Sequence, residues 1–268
     1  MAPGPLRDLL TLLLGLATGV MSALFGVGGA IVSNPGVRAL GASPLVAVGT
    51  TLPSMLPGAV SGTLRYQREG LIDWTVVAWT AAAGLLAVVG GSLLSHAVPG
   101  DGHLLLLTIA VLLGFTAWRT VFGATDAEDR GGPENPGREA PPRVRAGWLA
   151  GIVGVAAGLL SGLLGTGGGV VMVPGFSSLV GLPLKQAIAS SLVCVGIFAV
   201  PATVTHALLG DVDWRLAALL TVGVIPGARL GAGLTVRIAE RRLRLAVGAF
   251  LAVVAVVYAV TETLALLG

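Results

Sequence analysis

The groups in this chain that could meet a ligand inside an apolar environment are hydroxyls and glycine backbone, and they occur twice. Residues 17–36, ATGVMSALFGVGGAIVSNPG, align with residues 156–175, AAGLLSGLLGTGGGVVMVPG. Ser22 falls on Ser161, Gly26 on Gly165, Gly28 and Gly29 on Gly167 and Gly168, and Pro35 on Pro174. After one inserted residue the match resumes, with Ala47 on Ala187, Leu52 on Leu192, Gly70 on Gly210, Asp73-Trp74 on Asp213-Trp214 and Gly91 on Gly231. Apolar sequence of low complexity does not place Gly-x-Gly-Gly, Pro-Gly and Asp-Trp in one order at a nearly constant offset. The chain therefore reads as one unit used twice.

Glycine clusters let the backbone leave helical geometry and let another chain or a ligand come close. Each cluster is followed by a helix start, whose free N–H groups and positive dipole end favour an anion. The candidate anion site is Ser22, Gly26, Gly28 and Gly29 from the first copy with Ser161, Gly165, Thr166, Gly167 and Gly168 from the second. The next stretches add Thr50, Thr51 and Ser54, matched by Ser190 and Ser191. The competing reading is packing, in which small residues let helices approach and hydroxyls bond to backbone. Packing suffices for any one Ser or Thr; the glycine tips as a symmetric pair favour a site.

Arg229 is the one charge inside a predicted span and is the candidate for attracting the anion, or else an arginine reaching for the membrane surface. His206 and Tyr66 occupy equivalent positions near helix ends, with a proton-carrying or a purely polar role. His96 and His103 lie in a short loop and read as structural, and the lone cysteine, Cys194, as a buried core residue. Every Asp and Glu falls in a loop or at a helix end, which argues against a carboxylate relay or a cation pathway. There is no His-Glu-x-x-His, Gly-x-Ser-x-Gly or P-loop, and no βαβ unit surrounds Gly26-Val27-Gly28-Gly29. No enzyme activity, cofactor or metal site is expected.

The elements that must hold these residues are membrane helices. Of 268 residues only 11% are charged and 54% are hydrophobic, with a mean hydropathy of +0.91. A soluble domain carries about 25% charged residues. Apolar stretches run near 6–40, 44–66, 74–98 and 103–122, then near 146–180, 184–207, 214–238 and 242–263. Runs of this length without alternation are helices. The domains are a first transmembrane repeat (1–122), a charged, Pro/Gly-rich cytoplasmic linker (123–145) and a second repeat (146–268). A pI of 9.7 does not indicate nucleic acid, because the basic residues sit in short loops and act as topology signals. Trp74, Trp79, Trp118, Trp148 and Trp214 mostly lie near span ends. The N-terminus resembles a signal peptide, but its recurrence in mid-chain argues against cleavage.

The first stretch of each unit is broken by its glycines, and its second arm is too short to cross a bilayer. This predicts a re-entrant hairpin or a broken helix. If that stretch enters and leaves on one side, only Arg7, Arg38 and Arg215 lie outside, and the remaining cations except Arg229 lie inside with the linker. Each unit then has three crossings, and the two units are inverted relative to each other. The expected fold is all-α and polytopic, with two inverted four-element repeats.

Gly-Val-Gly-Gly-Ala…Pro and Gly-Thr-Gly-Gly-Gly-Val-Val-Met-Val-Pro, each opening a half, resemble the sulfite exporter TauE/SafE family. So do Ala189-Ser190-Ser191-Leu192, the Gly-Asp-Val-Asp-Trp turn at 210–214 and Pro226-Gly-Ala-Arg-Leu-Gly231. The first copy departs at Ala30 and at Asn34. The resemblance implies a permease for sulfite, organosulfonates or related carboxylates, usually acting outward. A related thiosulfate-uptake branch works through several cysteines, which this chain lacks. The expectation is a secondary exporter in a bacterial inner membrane, by alternating access between the repeats. Its partners are a small inorganic or organosulfur anion and the bilayer, with proton coupling and a homodimer as further candidates and no nucleic acid. A channel-like anion pore, a carboxylate permease and a membrane scaffold are the alternatives.

Overall fold

The computed structural model describes residues 4–95, 114, 143–165 and 167–267. Most of the 103–122 stretch and of the 123–145 linker lies outside the described residues, as do Thr166, His96, His103 and Trp118. The elements are α1 (Pro5–Phe25), α2 (Ala30–Ala39), α3 (Pro44–Arg68), α4 (Trp74–Ser95), α5 (Arg143–Leu164), α6 (Gly169–Gly175) continued by a π turn (Phe176–Val180), α7 (Leu184–Leu208), α8 (Trp214–Arg237) and α9 (Glu240–Leu267). Among the described residues all regular structure is helical. Among the described residues six helices (α1, α3, α4, α5, α7 and α8) are long and apolar enough to cross a membrane.

Local chemistry sets the boundaries. The Asp-Trp pair recurs because it starts a helix. The Asp73 Oδ1 accepts from the amides of Thr75 and Val76, and Asp213 Oδ1 from those of Arg215 and Leu216. Trp74 and Trp214 follow, both exposed, where an amphipathic ring suits the edge of the apolar band. Gly26 and Gly165 end α1 and α5 in left-handed geometry, at φ 66° and 60°. Their amides return to the carbonyls of Ser22 and Ser161, 2.8 Å in each case.

Packing crosses between the two halves of the chain. α1 lies along α8 with the same chain direction. The Arg215 guanidinium meets Asp8 at 2.7 Å near their starts, and the Thr235 hydroxyl donates to Leu24 O at 3.1 Å near their ends. Between these points Gly15 and Gly19 abut the backbone of Leu220 and Val224, while Gly223, Gly227 and Gly231 abut that of Leu12, Leu16 and Val20. α4 and α5 form the matching seam, with the Thr80 hydroxyl on Ala150 O at 3.2 Å and Gly154, Gly158 and Gly162 against Thr80, Gly84 and Val88. α3 and α7 run antiparallel at the centre, where Gly62 meets Leu192 and Gly196 meets Ala59. Each central helix also carries the start of the other half's following helix. Thr50 Oγ1 accepts from the Asp213 amide at 2.9 Å, and Ser190 Oγ from the Asp73 amide at 3.0 Å.

Two short arms turn back. Gly29 lies against Thr18 and Gly36 against Leu14, so α2 retraces α1 toward its start. Gly168 lies against Ala157 and Gly175 against Val153, so α6 retraces α5. The chain thus leaves each hairpin at the end where it entered. The outward arms are longer than a half-bilayer hairpin requires: α1 has 21 residues, about 31 Å at 1.5 Å per residue. α9 closes one side of the bundle, with Phe250 stacked on Phe25 at a centroid distance of 4.6 Å.

Candidate functional site

The two glycine turns meet. A methyl built on Gly169 would fall 2.3 Å from Gly26 O and 2.5 Å from Val27 C. Only hydrogen at this Cα lets the second turn approach the first so closely. Each turn also rests on the other half's central helix: Gly26 faces Ile188 and Ser191 on α7, and Gly165 faces Val48 on α3. Gly28, Gly167 and Gly168 have φ of 84°, 75° and 68°, a region that L side chains rarely adopt. All these glycines are buried.

The hydroxyls around the turns fall into two groups. Ser191 Oγ donates to Gly26 O at 2.7 Å, which pins the first turn to α7. Thr50 and Ser190 accept the cross-half amides described above, Thr51 donates to Ala47 O at 2.9 Å and Ser54 to Thr51 O at 2.7 Å. These five have protein partners, which explains their presence without a ligand. Ser161, one turn before Gly165, is different. It is fully buried and its Oγ has no hydrogen-bond partner among the described residues. Its counterpart Ser22 is buried at the first turn. The amides of Gly28, Gly29, Ala30 and Ile31, at the start of α2, donate to no acceptor among the described residues. Such first-turn amides have no partner within their own helix. Among the described residues the turns therefore present donors, and no Asp or Glu, near the point where the halves touch.

Tyr66 and His206 tie the ends of the central helices to neighbouring segments. The Tyr66 hydroxyl donates to Ala23 O, tying the end of α3 to α1. His206 Nδ1 lies 3.0 Å from Asp211 Oδ2, with the histidine fully buried. Asp211 O in turn abuts Gly49 on α3.

Residues 11–258 match the family described as sulfite exporter TauE/SafE. The chain belongs to the sulfite exporter TauE/SafE family. Its relatives include the probable membrane transporter protein YunE of Bacillus subtilis (strain 168), 26% identical over 249 residues, covering 82% of this chain and 86% of YunE. A probable membrane transporter protein of Xylella fastidiosa (strain 9a5c) is 28% identical over 232 residues, covering 84% of this chain and 82% of its own. The probable membrane transporter protein YjnA of Bacillus subtilis (strain 168) is 25% identical over 234 residues, with 87% and 92% covered. No solved structure matches the chain. This TauE/SafE protein is a multi-pass membrane transporter and not an enzyme.

One expected participant is absent from the turns. Arg229 is exposed on α8, on the face that carries exposed Val222 and Leu230. Gly227, Ala228, Gly231 and Ala232 occupy the buried face of the same helix. Arg229 therefore lies on a face of α8 turned away from α1, which Gly227 and Gly231 meet. Arg229→Ala is expected to change substrate flux by less than about twofold, since an exposed side chain away from a site has small effects. Flux in proteoliposomes checks this. Two positions escaped the sequence reading. Gly169 makes the contact between turns, and its signal was the third glycine of the second cluster. Thr18 lies under Gly29, and nothing in the repeat marked it, because its counterpart is Ala157.

Proposed function

We propose that this TauE/SafE protein is a secondary transporter of small sulfur-containing oxyanions, sulfite or organosulfonates, working by alternating access at the paired glycine turns. The observation that carries this is the Ser161 hydroxyl, buried beside the turns without a partner. A buried hydroxyl left unpaired costs about 1–3 kcal/mol, so a ligand that accepts its hydrogen bond accounts for its presence. The free α2 amides add the partial positive charge of a helix start. Donors without carboxylates suit an anion and repel nothing negative.

Alternating access is supported by the arrangement of the halves. α1 enters from the end where α3 and α8 start, and α5 enters from the end where α4 and α7 start. We read the halves as an inverted pair, with the site where their hairpins touch. Arg65, Arg68, Lys185, Arg237, Arg241, Arg242 and Arg244 gather at one end of the bundle, and Arg7, Arg38 and Arg215 at the other. The cation-rich end is placed in the cytoplasm of a bacterial cell with the protein in its inner membrane. A potential negative inside then favours export of the anion. The buried His206–Asp211 pair is the candidate site for proton coupling.

The test is sulfite flux in proteoliposomes of wild type and Ser161→Ala. Loss of one donor to a charged oxygen is worth about 1.5–3 kcal/mol, so flux at low substrate should fall by about 10- to 100-fold. Equal flux would sink the site. Saturation with counterflow identifies the carrier; ohmic currents would identify a pore, and flux of acetate but not sulfite a carboxylate permease.

A further inference from the structure

Thr18 departs from the commonest pattern among the threonines of these helices, as Thr203 on α7 also does. Thr11, Thr51, Thr205, Thr221 and Thr235 each donate to the carbonyl four residues earlier, on Arg7, Ala47, Pro201, Ala217 and Gly231, at 2.7–3.1 Å. A helical threonine divides between two rotamers because that back-bond competes with the preference of its methyl. Thr18 is 1% exposed, yet its Oγ1 makes no hydrogen bond among the described residues. The cause lies in the first glycine turn. A methyl on Gly29 would sit 2.3 Å from Thr18 Cγ2, so the glycine Cα closes directly over the threonine methyl. The turn packs on the apolar branch of Thr18, and its hydroxyl remains without an acceptor.

Resting on the function proposed above, we infer that Thr18 is a substrate-binding residue that selects oxyanions with three oxygens, sulfonates and sulfite, over carboxylates. Two unpartnered hydroxyls flank the hairpins: Thr18 on the first arm and Ser161 on the second. The α2 amides, from Gly29 onward, supply a third set of donors on the strand of chain between them. Three donor groups on three segments match a pyramidal head, whose oxygens spread around the sulfur. A carboxylate holds two oxygens in one plane and leaves one donor unpaired, and a site with an unpaired buried donor discriminates against such a ligand. Because position 157 is alanine, the third donor comes from the first half alone. The site is therefore asymmetric, although its frame is repeated.

The experiment compares wild type, Thr18→Val, Thr18→Ser and Ser161→Ala for flux of methanesulfonate, sulfite and acetate in proteoliposomes. Valine keeps the methyl under Gly29 and removes only the hydroxyl. Thr18→Val should lose about tenfold in methanesulfonate and sulfite flux at low substrate while acetate flux changes less than twofold, and Thr18→Ser should retain most sulfonate flux. Thermal melting of the detergent-solubilised variants reports whether the fold survives. If Thr18→Val equals wild type while Ser161→Ala is impaired, the inference fails and the proposed site stands. If Thr18→Val lowers all three anions equally, Thr18 is a packing residue and the selectivity is overturned. If wild type carries none of the three, the proposed function itself fails, and the inference with it.

Discussion

Gly169→Ala is expected to abolish most transport while leaving a folded protein. Gly169 does not occupy the left-handed region, so its backbone accepts an L residue without strain. The obstacle is the other hairpin: the added methyl would sit 2.3 Å from Gly26 O, 2.5 Å from Val27 C and 2.7 Å from Val27 Cα. All three are backbone atoms, which cannot rotate out of the way as a side chain would. The turns must separate by about 1 Å to restore ordinary contact, and donors from the two halves can then no longer close on one small anion. A displacement of this size in a site that depends on position costs about 100-fold in rate. The expected readout is a drop of at least about tenfold in sulfite flux, with a lowered but cooperative thermal transition. Gly26→Ala makes the useful contrast. It meets Ser191 Oγ at 2.5 Å and Ile188 O at 2.8 Å, and it also carries a φ of 66°. That variant should lose the fold as well as the flux. Wild-type flux in Gly169→Ala would show that contact between the turns is incidental.

How much of this was legible in the sequence depended on whether the controlling interaction was local. Helix limits were readable to within a few residues because they are set by nearby groups: Asp73 and Asp213 cap the helices they precede, and Gly26 and Gly165 end theirs. The returning arm was readable because ten residues, α2, are too few to cross a bilayer and the arginines counted both ways around it fit the returning path better. What the glycines of α1 meet was not, since the seam with α8 joins positions some two hundred residues apart along the chain. The tasks of Thr50 and Ser190 were hidden for the same reason. They look like site hydroxyls in the sequence, and they hold amides 163 and 117 residues away. Arg229 could have been placed better. The small residues Gly227, Ala228, Gly231 and Ala232 define the buried face of α8, and at a helical period Arg229 falls on the opposite side. Thr18 could not be found by comparing the repeats, because that comparison rewards identity and Thr18 matters where the halves differ.

Two neighbouring glycines on α4 should respond in opposite ways to one substitution. A methyl on Gly91 would meet Leu159 O at 2.4 Å and Leu163 N at 3.0 Å, whereas nothing lies within 4 Å of the same methyl on Gly90. Gly91→Val forces α4 and α5 apart along the whole seam, because the clashing atoms belong to a helix ladder that moves as a unit. Overpacking a well-fitted core costs about 1–3 kcal/mol, and here the close backbone approach made by Gly154, Gly158 and Gly162 is lost with it. A total of at least about 3 kcal/mol is a large share of a typical stability of about 5–15 kcal/mol. Gly91→Val should therefore give little folded protein on extraction, while Gly90→Val should melt near wild type or above it, since valine removes the cost of a helical glycine. Gly231 is the counterpart on α8, 2.3 Å from Val20 O by the same measure, and Gly233 has open space. The pair Gly231→Val and Gly233→Val should reproduce the contrast. The four variants together separate seam packing from helix propensity: propensity alone would make all four alike, and only a glycine seam between opposite halves makes them alternate.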